Sequence, residues 1–213
     1  MEFIADNLDQ YVCAHSENEP EILADLNRRT HVSVIQPRML SGHYQGRVLS
    51  MLSHMIQPEN VLEIGTYTGY SALCFAEGLK EKGRLTTIDV NEELEDFVAA
   101  YIEKAGMGDR ITQLIGDAID IIPTLDEQFD IVFIDADKKN YCKYYDLVFD
   151  KVKPGGYIIA DNVLWSGKVL EDYNSLDRET KIIMDYNQKV HEDDRVQEVL
   201  FPIRDGLMIA RKK

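Results

Sequence analysis

A chain of 213 residues, 45% of them apolar, is long enough to bury a substantial core in one α/β domain. Against 23 Lys plus Arg stand 38 Asp plus Glu, a net charge of −15 that argues against a large nucleic-acid footprint. Cys13, Cys74 and Cys142 form no CxxC pair and read as reduced thiols, the histidines fall at no paired metal spacing, and no apolar run approaches the roughly 18 residues of a membrane span.

The acidic start, "MEFIADNLDQYV", lacks a basic segment ahead of an apolar one, so no export signal is expected and a reducing, cytoplasmic setting is. The chain reads as helical up to about residue 58, and then the pattern changes. "NVLEIG" is a short apolar run ending in glycine, "GYSALCFAEGLK" has helical spacing, and "RLTTIDV" reads as a strand. "NEELEDFVAAYIEKAG" predicts a helix with Asn91 as N-cap, acids in its first turn and Gly106 past its end. "RITQLIGDA" and "FDIVFID" are strand-like, "KKNYCKYYDLVFDKVKPGG" reads as a helix closed by Pro-Gly-Gly, and "GYIIADNVLW" is the next apolar run. "RVQEVLFPIRDGLMIARKK" holds two strand candidates around Pro202 to Gly206 with no room for a crossover helix, so a final antiparallel pair is expected.

Strands alternating with helices at this spacing imply a mostly parallel sheet with helices on both faces. Ligands of such sheets sit beyond the carboxyl ends of the strands. Those ends are Glu63–Gly65, Asp89, Gly116–Ala118, Asp135–Asp137 and Asp161–Asn162, and nearly every one carries an acid.

The first turn, "EIGTYTGYS", spaces Gly65 and Gly69 as GxxxG and matches neither a dinucleotide fingerprint nor a phosphate loop. With Glu63 at the mouth, a cofactor bearing an ammonium and a ribose suits better than a phosphate, and S-adenosylmethionine has both. Glu63 would accept from its amino group or hydration shell, and Asp89 from the ribose hydroxyls. The lesser alternative for the glycines is a tight turn without a ligand, and for Asp89 taken alone a helix cap is nearly as good an explanation.

"VLEIGTYTGYSAL", "TIDVNEE", "GDAIDIIPTL", "FDIVFIDADKKNY" and "GGYIIADNVLWSGKV" together resemble class I S-adenosylmethionine-dependent O-methyltransferases, the divalent-metal-dependent catechol and caffeoyl-coenzyme-A branch above all. The resemblance runs from about Met39 to the C-terminus. It implies a Rossmann-like, seven-stranded, mostly parallel α/β sheet with a C-terminal antiparallel strand pair. With no repeat, low-complexity tract or linker, the chain reads as one methyltransferase domain over 1–213, with 1–58 a helical extension contributing to the cofactor and acceptor site and 59–213 the core.

Asp135 ends one strand, and Asp161 with Asn162 ends another 26 residues later, a spacing that fits one strand–helix–strand unit and sets the two ends side by side. Two carboxylates and an amide oxygen suit a hard cation, Mg²⁺ first, with Ca²⁺ or Mn²⁺ as alternatives, and the resemblance puts the family's metal ligands on the same three residues. It puts the lysine base on Lys138, and further cofactor contacts on Met39, Ser41, Ser71 and Ala118. The bland readings are a solvated cap for "DADKKN", a core methionine at Met39 and a helix cap at Ser41. Lys139 reads as a surface charge, Asp137 as a cap and Trp165 as packing.

Arg204 departs from the family pattern, which often has glycine there; it would reach an anionic acceptor or sit in solvent. The expected reaction is methyl transfer to a hydroxyl of a small catechol-like acceptor by a homodimeric enzyme. A tRNA hydroxyuridine acceptor is the alternative, disfavoured by the charge of −15 although Lys151, Lys153, Lys168 and Lys181 form a candidate basic patch. A cofactor-binding module without turnover ranks last, having no need for Asp135, Lys138, Asp161 and Asn162 as a set.

Overall fold

The computed structural model describes residues 5–213; the first four residues of the acidic start lie outside the described residues. Three helices, α1 (Asp6–Ala14), α2 (Glu21–Ser33) and α3 (Gly42–Ile56), precede the first strand. Then β1 (Asn60–Ile64), α4 (Tyr70–Glu77), β2 (Arg84–Asp89), α5 (Glu95–Lys104), β3 (Ile111–Ile115), α6 (Ala118–Ile121) and β4 (Phe129–Ile134) follow in alternation. The chain closes with α7 (Tyr141–Phe149), β5 (Val152–Asp161), α8 (Arg178–His191), β6 (Val196–Phe201) and β7 (Leu207–Lys212).

The seven strands form one sheet in the order β3-β2-β1-β4-β5-β7-β6. The first five are parallel, while β7 runs antiparallel to both β5 and β6, as the short "FPIRDG" connection requires. Strand residues alternate between two cores. Val61, Ile131 and Phe133 pack with residues of α2 to α5, whereas Leu62, Ile64, Val132 and Ile134 pack with the tyrosine-rich faces of α7 and α8. Helices therefore cover both faces, which is why these strands read as unbroken apolar runs. Strand order reverses between β1 and β4, and in sheets of this kind the ligand crevice lies at that switch point, outside the carboxyl ends.

Asn91 caps the start of its helical segment, accepting from Glu93 N at 3.1 Å, and Gly106 takes φ +69° past the end of α5. The expected end of α7 needs correction. The helix stops at Phe149, not at Pro-Gly-Gly, and Pro154–Gly156 lies inside β5. Pairing with β4 jumps there from Phe129↔Val152 to Ile131↔Tyr157, and Gly155 sits at φ +80°. Proline has no N–H to give the ladder and glycine takes the positive φ, so the tripeptide suits a bulge as well as a helix stop. Buried Val152, paired with Phe129, decides for the strand. Among the described residues no helix is long and apolar enough to cross a membrane.

Candidate active site

The turn after β1 shapes the crevice floor. Gly65 has φ +102°, and a Cβ on it would lie 2.0 Å from the Asp135 carbonyl oxygen, so only glycine lets the ends of β1 and β4 approach. Asp135 N donates to Ile64 O at 2.8 Å and ties the two ends together. Asp89, half-buried at the end of β2, accepts from Tyr67 N at 2.7 Å and from Asn91 N at 2.9 Å. It is not the helix cap; Asn91 is. Glu63 is wholly buried, accepting from Ser71 Oγ and Thr87 Oγ1, each at 2.5 Å. Burial, opposed by those two hydroxyls, pushes its carboxyl up to about 8. Both Glu63 oxygens thus have protein donors, and Ser71 stands between Glu63 and the helix start. At β3, Asp117 caps α6 through Ile119 N at 2.8 Å and Ala118 is buried as its first residue.

The acidic end lies one strand over. Ile134 pairs with Ala160, so Asp135 and Asp161 follow side by side. Lys138 Nζ stands 3.2 Å from Asp135 Oδ1, 2.8 Å from Asn162 Oδ1 and 2.5 Å from the Tyr141 hydroxyl. Asp161 is 3% exposed; its Oδ2 accepts from Gln45 Nε2 at 2.5 Å and its Oδ1 from Asn162 N at 2.7 Å. Burial first, and the Asp135 charge second, push the Asp161 carboxyl well above the usual range. Asn162 adopts φ +59°, a conformation asparagine tolerates better than most. Asp137 turns outward, accepting from the Tyr144 hydroxyl and from Asn140 Nδ2 at 2.8 Å, with Lys139 Nζ 3.8 Å away.

The segment ahead of α3 runs from the turn after β1 to the turn between β6 and β7. Tyr67 OH donates to Ile35 O and Gln36 O at 3.1 and 3.2 Å. Met39 is 59% exposed and so is not a core methionine, and the Ser41 side chain makes no cap hydrogen bond. Arg204 reaches neither the acidic end nor bulk solvent alone: its Nη1 donates to Leu40 O at 2.9 Å and to Ser41 O. Trp165 packs partly against the α7–α8 core, with Lys138 Nζ 5.9 Å above its ring.

A sequence model described as O-methyltransferase matches residues 13–213. The chain belongs to the O-methyltransferase family. The caffeoyl-CoA O-methyltransferase of Petroselinum crispum is 33% identical over 98% of this chain and 91% of that protein. The solved O-methyltransferase of Bacillus cereus in complex with SAH (S-adenosylhomocysteine) is 30% identical, covers 97% of each chain and superposes with a TM-score of 0.90. An SAH-bound methyltransferase of Podospora anserina is 26% identical, with a TM-score of 0.89 over 98% of this chain and 94% of that one. The enzyme class read from the sequence, S-adenosylmethionine-dependent O-methyl transfer, stands with the family.

In this O-methyltransferase, sequence reasoning missed Tyr141, Gln45, Tyr67 and Thr87. Tyr141 carried a signal, standing three residues after Lys138 at the spacing that brings helical neighbours together. Gln45 carried none, since its partner is 116 residues away. The lysines of the candidate basic patch are engaged: Lys153 with Asp130 and Lys168 with Asp177, each at 3.0 Å, Lys151 with Leu125 O, and Lys181 over the Tyr173 ring.

The donors at the acidic end fit a hard divalent cation. Asp135, Asp161 and Asn162 offer oxygens only, the ligand chemistry such a cation takes, and Lys138 Nζ lies beside two of them.

Proposed function

We propose that this enzyme transfers a methyl group from S-adenosylmethionine to a phenolic hydroxyl of a small catechol-like acceptor, with a divalent cation held by Asp135, Asp161 and Asn162. The observation that carries the reading is the convergence of these oxygens with Lys138 Nζ at the ends of β4 and β5. A divalent cation bound there supplies Lewis acidity that lowers the pKa of a phenol, about 10 when free, and fixes the oxygen's position. Bound S-adenosylmethionine supplies an electrophilic methyl group, so no covalent protein intermediate is needed.

The chain's own residues do the rest. Lys138 Nζ, oriented by Asn162 Oδ1 and Tyr141 OH, takes the phenolic proton when it stands as the neutral amine, and becomes the ammonium. Asp89 receives the ribose hydroxyls, its carboxylate fixed by two backbone N–H groups. Glu63 acts through Ser71, holding the start of α4, while Gly65, Met39, Ser41 and Ala118 border the cofactor. Residues 1–58 contribute to the site through Gln45 and the Met39–Ser41 segment, which supports the extension-plus-core reading. Three free cysteines support a reducing, cytoplasmic setting.

The test is SAH release from S-adenosylmethionine and a simple catechol acid, with Mg²⁺ and with chelator. Release that needs Mg²⁺ and is lost in Asp135→Ala, with the melting temperature preserved, is expected. Full release in chelator or in Asp135→Ala rejects the metal role; no release from any phenol rejects the acceptor class.

A further inference from the structure

The turn joining β6 to β7 gives no local reason for an arginine. Arg204 sits at φ +49°, where glycine is the easier choice. Its side chain nevertheless crosses more than 160 residues of sequence to donate to the carbonyls of Leu40 and Ser41. The residues beside it are anchored elsewhere. Asp205 accepts from Ser166 N at 2.5 Å through Oδ1 and from Leu164 N at 2.8 Å through its carbonyl. A Cβ on Gly206 would lie 2.5 Å from Leu164 Cγ. The turn is therefore locked onto the loop that follows Asp161 and Asn162, and from that anchorage Arg204 grips the segment ahead of α3.

The other end of that segment is gripped as well. Tyr67, in the turn after β1 at φ +47°, holds Ile35 O and Gln36 O through its hydroxyl, while its own N–H is held by Asp89. Beside the Arg204 grip, Leu40 is buried in the core formed by α2 to α5, whereas the residues ahead of it lie largely on the surface. Ile35 is 82% exposed and Met39 59%, so their side chains contribute little core packing. A segment largely exposed from Ile35 to Met39, and secured at its two ends by polar contacts from the two sides of the crevice, behaves as a strap.

We propose that Arg204 is a positioning residue that fastens the Ile35–Ser41 strap across the mouth of the crevice, and that cofactor affinity depends on this fastening. The inference rests on the cofactor reading of the crevice given above. Its energetic content is a population: when only a fraction of molecules hold the strap in place, apparent affinity falls by that fraction. Arginine suits the task because one planar head serves two carbonyls, and lysine offers a smaller, less directed donor.

Three proteins test it: wild type, Arg204→Gly, which relieves the positive φ while removing the head, and Arg204→Lys. SAH binding is measured by calorimetry without acceptor, alongside melting temperature and the rate of trypsin cleavage after Arg38, which is exposed within the strap. Arg204→Gly is expected to bind SAH about tenfold more weakly, as a strapped fraction near one-tenth dictates. Arg38 should be cut faster, the melting temperature should hold, and Arg204→Lys should lie between. In turnover the KM for S-adenosylmethionine rises while kcat stays within about twofold. Equal SAH affinity and equal Arg38 cleavage in wild type and Arg204→Gly overturn the proposal. Should wild type itself bind no SAH, the cofactor reading falls, and with it the claim on affinity, while Arg38 cleavage still decides whether Arg204 fastens the strap.

Discussion

Gln45 on α3 and Asp161 at the end of β5 meet across 116 residues of sequence, Nε2 to Oδ2 at 2.5 Å. Both side chains are almost fully buried, so the amide supplies a donor that water does not. The helical N-terminal region thereby reaches into the acidic end of the sheet. Gln45→Ala leaves a buried carboxylate oxygen without its donor and is expected to lower stability by about 1.5–3 kcal/mol. Chemical denaturation with an unchanged m-value checks this; a loss below about 0.5 kcal/mol would mean that water replaces the amide.

Lys138 and Tyr141 separate the proton acceptor from its support. Lys138→Gln removes the amine and should lower kcat by roughly 10²–10⁴-fold, the usual contribution of a positioned base. Tyr141→Phe keeps the amine and its contacts to Asp135 and Asn162, so a loss of about tenfold is expected, on the order of one neutral hydrogen bond. SAH-release kinetics at saturating cofactor measure both. Equal losses in the two variants would argue that Lys138 serves structure alone.

Glu63 makes stability depend on pH. Its folded-state pKa, raised to about 8, lies above the unfolded value near 4.3, so between those limits the folded state holds a proton that the unfolded state has lost. Stability is therefore greatest on the acid side of this window and falls as pH rises through it, by at most about 1.4 kcal/mol per unit from this one group. Asp161, also raised, adds a slope of the same sign. Glu63→Gln should flatten the curve between about pH 5 and 8. Denaturation midpoints across that range decide, and an unaltered slope in the variant would show that Glu63 is ionised throughout.

Gly65 allows no side chain. The added methyl of Gly65→Ala meets the Asp135 carbonyl at 2.0 Å, and the residue must hold φ +102° besides. The clash is with backbone and cannot be relieved by a rotamer change, so a loss of more than about 2 kcal/mol is expected. Because the displaced backbone carries Asp135, activity should fall more steeply than stability. A soluble Gly65→Ala enzyme with normal turnover would mean that the two strand ends separate without consequence.

The chain by itself determined the succession of strands and helices, the antiparallel finish and the row of acids at strand ends. These features are local: apolar runs of strand length, a capping Asn91, a connection too short for a helix. It also carried Asp135, Lys138 and Asp161–Asn162 as a set, because one strand–helix–strand unit fixes their relation. Only the tertiary structure decided that Pro154–Gly156 is a bulge in β5, since pairing of Val152 with Phe129 outweighs the helix-stopping tripeptide. It alone revealed that Glu63 is satisfied by Ser71 and Thr87, that Gln45 partners Asp161, and that Arg204 turns back to Leu40 and Ser41. These are contacts between segments distant in sequence, and no spacing along the chain encodes which buried oxygen meets which donor once the layers close.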